Sequence, residues 1–245
     1  MCLSSVFILI SLLVIGLVSL FIIGFENAGL KNALDLLYIP TKKDGADIVI
    51  SLSYTNAYDI NTYIDIEEYR CIIITGKYCS PWGKLFNKKL FTETTFNITR
   101  NLIVGEDLLM NLNLSWKTEK PVVLIKEKIY NYRFNTDSVS NTFKQTLEYE
   151  NTFHNNLVAL LAKNNIKYIH AHIERRLKTW FDNFGYSYKR PLWYDTDYHK
   201  NLINDIIHYH YPIDKNDMFL LKHKNILFRF ILINIKKIKK IIWKS

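Results

Sequence analysis

From Met1 to Phe25 the chain carries no charged side chain, and Ser5–Phe25 is an almost unbroken apolar run, SVFILISLLVIGLVSLFIIGF. Wound as a helix at about 1.5 Å per residue, such a segment reaches roughly 37 Å, enough to cross a hydrocarbon layer about 30 Å thick. It lacks the basic start, the short apolar stretch and the small-residue cleavage site of a secretory leader. The run therefore predicts a retained transmembrane helix over residues 1–26, with a buried strand and helix as the competing reading. No basic residue precedes it, and Lys31, Lys42 and Lys43 follow it. That bias places the body at the cytoplasmic face of a cell inner membrane.

Charge is distributed unevenly over the rest. The formal charge is +9, yet eight basic residues follow the last acid, Asp217, so residues 1–221 are nearly neutral. A nucleic-acid binder would spread its basic face through the fold, and that class is excluded. The basic residues mix with Ile, Leu, Phe and Trp over 222–245, a composition that predicts an amphipathic tail lying on an anionic membrane surface. Cys2, Cys71 and Cys79 form neither a disulfide framework nor a metal-binding spacing.

Leu30, Ala33, Leu34, Leu37 and Tyr38 recur at helical spacing and predict a helix ending before Pro40. Asp44-Gly45 makes a turn, and Ala46–Ile50 reads as a buried strand. Residues 55–70 read as a polar surface excursion, Val122–Ile125 as a second strand, and Lys128–Arg133 as a half-exposed one. Beyond Asn141 the pattern is helical, with a candidate helix over 142–163. The expected layout is an α/β region over 27–141, a helical region over 142–221 and the basic tail over 222–245. The pairs His170/His172 and His208/His210 read as surface histidines, because i, i+2 neighbours point to different helix faces.

Gly105-Glu106-Asp107 precedes a stretch whose apolar residues share one helical face, so the two acids stand at a helix N-terminus. The helix dipole favours an ionised carboxylate there by roughly 0.3–1 kcal/mol. Such an Asp can accept a proton from an attacking sugar hydroxyl, or simply cap the helix. Upstream stands Pro81-Trp82-Gly83-Lys84-Leu85-Phe86-Asn87-Lys88-Lys89-Leu90-Phe91, and downstream Ile129-Tyr130-Asn131-Tyr132-Arg133 with Asp137-Ser138-Val139-Ser140. This ordered set resembles the second half of bacterial family-2 glycosyltransferases of the GT-A fold.

The resemblance covers residues 27–141. It implies an incomplete GT-A-like mixed sheet with helices, and transfer of a sugar from a nucleotide-sugar donor to a cell-surface glycan or lipid-linked acceptor, as in polysaccharide or lipooligosaccharide assembly. Asp107 matches the family's catalytic base, with Glu106 beside it. Trp82 and Lys84 match residues of the acceptor side, and Tyr130, Tyr132 and Arg133 lie on the strand behind the site, where Arg133 could reach donor phosphates. The family's Mg²⁺ or Mn²⁺ is held by a D-x-D that follows a donor-binding βαβ unit, and neither stands before residue 27. The only D-x-D is Asp195-Thr196-Asp197, which reads as a solvated loop. No metal site is therefore expected. The alternative expectation is a catalytically inactive remnant or a membrane-associated interaction protein.

Overall fold

The computed structural model describes residues 30–51, 62–96, 98, 101–129, 138, 142–143, 145–161, 165–181, 193–225, 227, 230 and 234. Among them are four strands and seven α-helices. In chain order they are α1 (Leu30–Lys43), β1 (Ile48–Ser51), β2 (Thr62–Ile64), α2 (Ile66–Ile74), β3 (Lys84–Phe86), α3 (Glu106–Ser115), β4 (Val122–Ile125), α4 (Leu147–Leu160), α5 (Ile166–Trp180), α6 (Asp197–His208) and α7 (Lys215–Lys222).

The expected fold class is corrected in one respect. The chain is α/β, with a small mixed sheet, but no helix among the described residues is long and apolar enough to cross a membrane. The longest, α5, has 15 residues and carries Lys, Glu and Arg, short of the roughly 20 apolar residues a span needs. Residues 1–29, on which the expected span falls, lie outside the described residues.

The chain divides into two compact units. Unit 1 takes its residues from Met1–Tyr69, Cys79–Thr99 and Met110–Phe143, and unit 2 from Arg70–Tyr78, Arg100–Leu109 and Lys144–Ser245. The division falls inside α2 and α3.

Unit 1 holds the sheet, ordered β2-β4-β1-β3. β1 runs parallel to β4 with Val49 beside Val123, and antiparallel to β3 with Val49 beside Leu85. β1 and β4 are buried at every position, as their unbroken apolar runs require. Ala33 and Leu37 of α1 pack on Val49, Val123 and Ile125. The helix passes through Pro40 instead of stopping before it. Pro40 lies one turn beyond Leu37 on the buried face, and its carbonyl accepts from Asp44 N at 2.9 Å, so packing offsets the hydrogen bond that proline cannot donate.

Asp47 is buried at the foot of β1. Its carboxylate accepts from Thr118 Oγ1 (2.8 Å) and Asn87 Nδ2 (3.0 Å) and pairs with Lys89 (3.0 Å). Burial pushes this carboxyl up, but Lys89, Thr118 and Lys120 outweigh it and hold it below the usual value. Residues 66–74, in part expected as an excursion, form a helix. Asp65 Oδ1 accepts from Glu67 N at 2.8 Å, and that cap starts the turn.

Unit 2 is helical. Ile173, Leu177, Trp180, Trp193, Tyr198, Leu202, Ile206, Leu220 and Leu221 form its core from α5, the turn before α6, α6 and α7. Thr146, Asn165, Thr196 and Asp214 cap α4, α5, α6 and α7 through their side-chain oxygens. The charged centre of this unit is Glu150 on α4, which is fully buried. It accepts from Arg175 Nη1 and Tyr198 Oη, both at 2.9 Å, and from Gln145 Nε2.

Candidate functional site

Glu106 and Asp107 occupy the first turn of α3, as the sequence predicts. The turn that presents them is held from α4. Tyr149 Oη accepts from Val104 N at 2.7 Å and donates to Val104 O, fixing the residue just before Gly105. Burial pushes the Tyr149 phenol up, against the opposing pull of its backbone bonds. One turn further along α4, the Phe153 ring lies against Gly105, where a Cβ would fall 2.5 Å from Cε2. Gly105 itself has φ of 92°, in the left-handed region. Only glycine satisfies both conditions. The Phe153 ring is buried, and the Arg175 guanidinium sits 3.9 Å from its centroid on a bond to Glu150, so the ring has little room to yield.

Gly105→Ala is therefore expected to cost about 2–4 kcal/mol, the sum of a left-handed alanine and overpacking. Urea denaturation of the full chain measures it. A loss under about 0.5 kcal/mol would show that the turn is not held as described.

The two carboxylates differ in surroundings. Glu106 Oε2 is buried and has no hydrogen-bond partner in the structure, whereas Asp107 is half-buried with its own contacts. The pair stands at the positive end of the α3 dipole.

Trp82 and Lys84 fall together in unit 1, at the entry to β3. Trp82 is 40% exposed. Lys84 donates to Asn111 Oδ1 at 2.6 Å and to Tyr69 Oη at 3.3 Å, so its ammonium is held inside a polar network. Burial pushes the Tyr69 phenol far above its ordinary value, and it stays neutral as an acceptor for that ammonium. Tyr130, Tyr132 and Arg133 lie outside the described residues.

Sequence reasoning missed a cleft of about 440 Å³ in unit 2, lined from α4, α5 and α6. Asn151, His154 and Asn155 project from one face of α4, and Asp195, Thr196, Asp197 and Asn201 come from the start of α6. Asp195 adopts φ of 64° and pairs with Lys224 at 2.7 Å, and Thr196 caps α6. Asp195 and Asp197 are exposed, as the expected solvated loop has them, and Asp197 opens α6.

His154 Nδ1 and His172 Nε2 share a hydrogen bond of 3.1 Å, with their rings stacked at 4.9 Å. His172 is buried, against the expectation of a surface residue, because its partner comes from another helix. Burial, helped by Arg176 and Arg175, pushes His154 down to about 4, and His172 also falls well below its ordinary value. Both rings are neutral at pH 7. In the unfolded chain a histidine titrates near 6.5, so that state binds more protons between about pH 6.5 and 4. The stability these rings contribute is thus complete above pH 6.5 and is lost as the pH falls towards 4. The melting temperature is expected to drop over that window, and His154→Gln together with His172→Gln should flatten the drop. An unchanged slope in the double variant would contradict neutral burial.

No family model, no curated protein and no solved structure matches the chain. Among the described residues no three His, Cys, Asp or Glu side chains come together as a metal site requires.

Proposed function

We propose that this chain is a glycosyltransferase-like protein that moves a sugar from a nucleotide-sugar donor to a hydroxyl of a cell-surface glycan acceptor. The observation that supports the reading is the Glu106-Asp107 pair at the start of α3, presented by a left-handed glycine that Tyr149 and Phe153 hold in place. A base fixed by neighbouring side chains loses little freedom when the acceptor arrives.

Asp107 takes the proton of the acceptor hydroxyl as its oxygen bonds to the anomeric carbon. The bond from that carbon to the diphosphate breaks in the same step, and the nucleoside diphosphate leaves with the bonding electrons. Glu106 stands beside the base in the same first turn.

The test incubates the full chain with a panel of nucleotide sugars, Mg²⁺ or Mn²⁺, and free and lipid-linked glycans. Nucleoside diphosphate release and the acceptor's mass gain are read together. Release that depends on the acceptor, with a matching gain of one sugar, is expected. No transfer from any donor to any acceptor would overturn the reading.

A further inference from the structure

We infer that the α4–α6 cleft of unit 2 is a binding site for an uncharged pyranose, separate from the Glu106-Asp107 turn. The proposal does not rest on the transferase reading, because it follows from what lines the cleft. Its volume, about 440 Å³, lies within the range of roughly 300–1,000 Å³ typical of ligand clefts.

Three carboxamides face it, Asn151, Asn155 and Asn201, together with the Asp197 carboxylate and Thr196. A carboxamide both donates and accepts, and a carboxylate accepts two or more hydrogen bonds. That combination matches vicinal hydroxyls, each of which also donates and accepts. His154 adds a neutral imidazole whose Nε2 makes no hydrogen bond in the structure, its Nδ1 being occupied by His172. Arg176 lines the same cleft and is fully buried. Its terminal nitrogens are taken by Asp205 and the Tyr198 carbonyl, while its Nε has no partner.

Other ligand classes fit the lining less well. Asp195 is neutralised by Lys224 and Arg176 by Asp205, so among the described residues that line the cleft no cation lacks a counter-charge to draw an anion, and Asp197 would repel one. A divalent cation would need three or more grouped ligands, which the described residues do not supply. A large apolar ligand would find little beyond Leu147 and Tyr198 among polar groups left unpaired. What remains is a small, neutral, hydroxyl-rich molecule.

The test uses the full chain and ligand-observed saturation-transfer NMR with glucose, galactose and N-acetylglucosamine. Inorganic phosphate and Mg²⁺, which carry no protons for this readout, serve as contrasting probes by isothermal titration calorimetry. Asn151, Asn155 and Asn201 are exposed on helices, and alanine there improves helix propensity, so Asn151→Ala/Asn155→Ala/Asn201→Ala should fold as the parent does. At least one pyranose is expected to receive saturation, and the triple variant should bind it about tenfold more weakly or worse, since several hydrogen bonds are lost together. The proposal is overturned if no pyranose binds, if binding is unchanged in a triple variant with parental melting, or if phosphate or Mg²⁺ alone gives a response that the variant abolishes.

Discussion

Glu150→Ala should lower the stability of unit 2 by about 3–5 kcal/mol, the cost of leaving a buried charge network without its anion. The carboxylate receives Arg175, Tyr198 and Gln145. Its removal strands the Tyr198 hydroxyl in a site where burial already pushes that phenol far up, and it strips Arg175 of its counter-charge. Arg175 also braces the Phe153 ring, so the damage extends along α4 to the Gly105 turn.

Glu150→Gln keeps an acceptor for Tyr198 but no charge for Arg175, and should cost about half as much. Urea denaturation read by tryptophan emission reports the change, because Trp180 and Trp193 are buried in this unit. Against a total stability of about 5–15 kcal/mol, the alanine variant could unfold unit 2 at body temperature. A measured loss under about 1 kcal/mol would mean that the network is solvated.

Asp107→Asn is expected to lower turnover of the sugar transfer by about 10²–10⁴-fold, the usual contribution of a positioned general base. Asparagine is isosteric and tolerated near a helix start, so the melting temperature should shift little. The loss should lie in kcat with KM nearly unchanged, since the carboxylate acts on a proton that moves only in the transition state. A variant that keeps more than about a tenth of the parental rate would reduce Asp107 to a capping residue and move the search for the base to Glu106.

The parts of the fold written as local pattern were legible. β1 and β4 follow from continuous apolar runs, and α1 from residues three and four apart, although the burial of Pro40 that carries α1 past the expected stop is not written in the local pattern. The start of α3 at Glu106-Asp107 was legible for the same local reason. What escaped depends on partners far along the chain. Glu150 reads as an ordinary exposed acid on a polar helix until Arg175 and Tyr198 close around it. His172 reads as a surface residue until His154 meets it from α4. The cleft combines side chains of three helices, none of which carries a motif of its own. In α2 the run Cys71–Ile74 hid a helix whose signal was the single capping carboxylate of Asp65.

The interleaving of the two units along the chain has a consequence for how the protein is made. The sheet cannot close until β4 has emerged from the ribosome, because Val49 waits for Val123. By then segments 70–78 and 100–109 have been synthesised, yet they belong with helices that start after residue 144. Ile73, Ile74, Leu108 and Leu109, all buried in the finished protein, lie in those two segments. At roughly 5–20 residues per second, the wait for the last of those helices is on the order of ten seconds. Throughout that interval the nascent chain presents sticky surface, so its yield in a cell is governed by chaperone supply and translation speed as well as by the stability of the final fold.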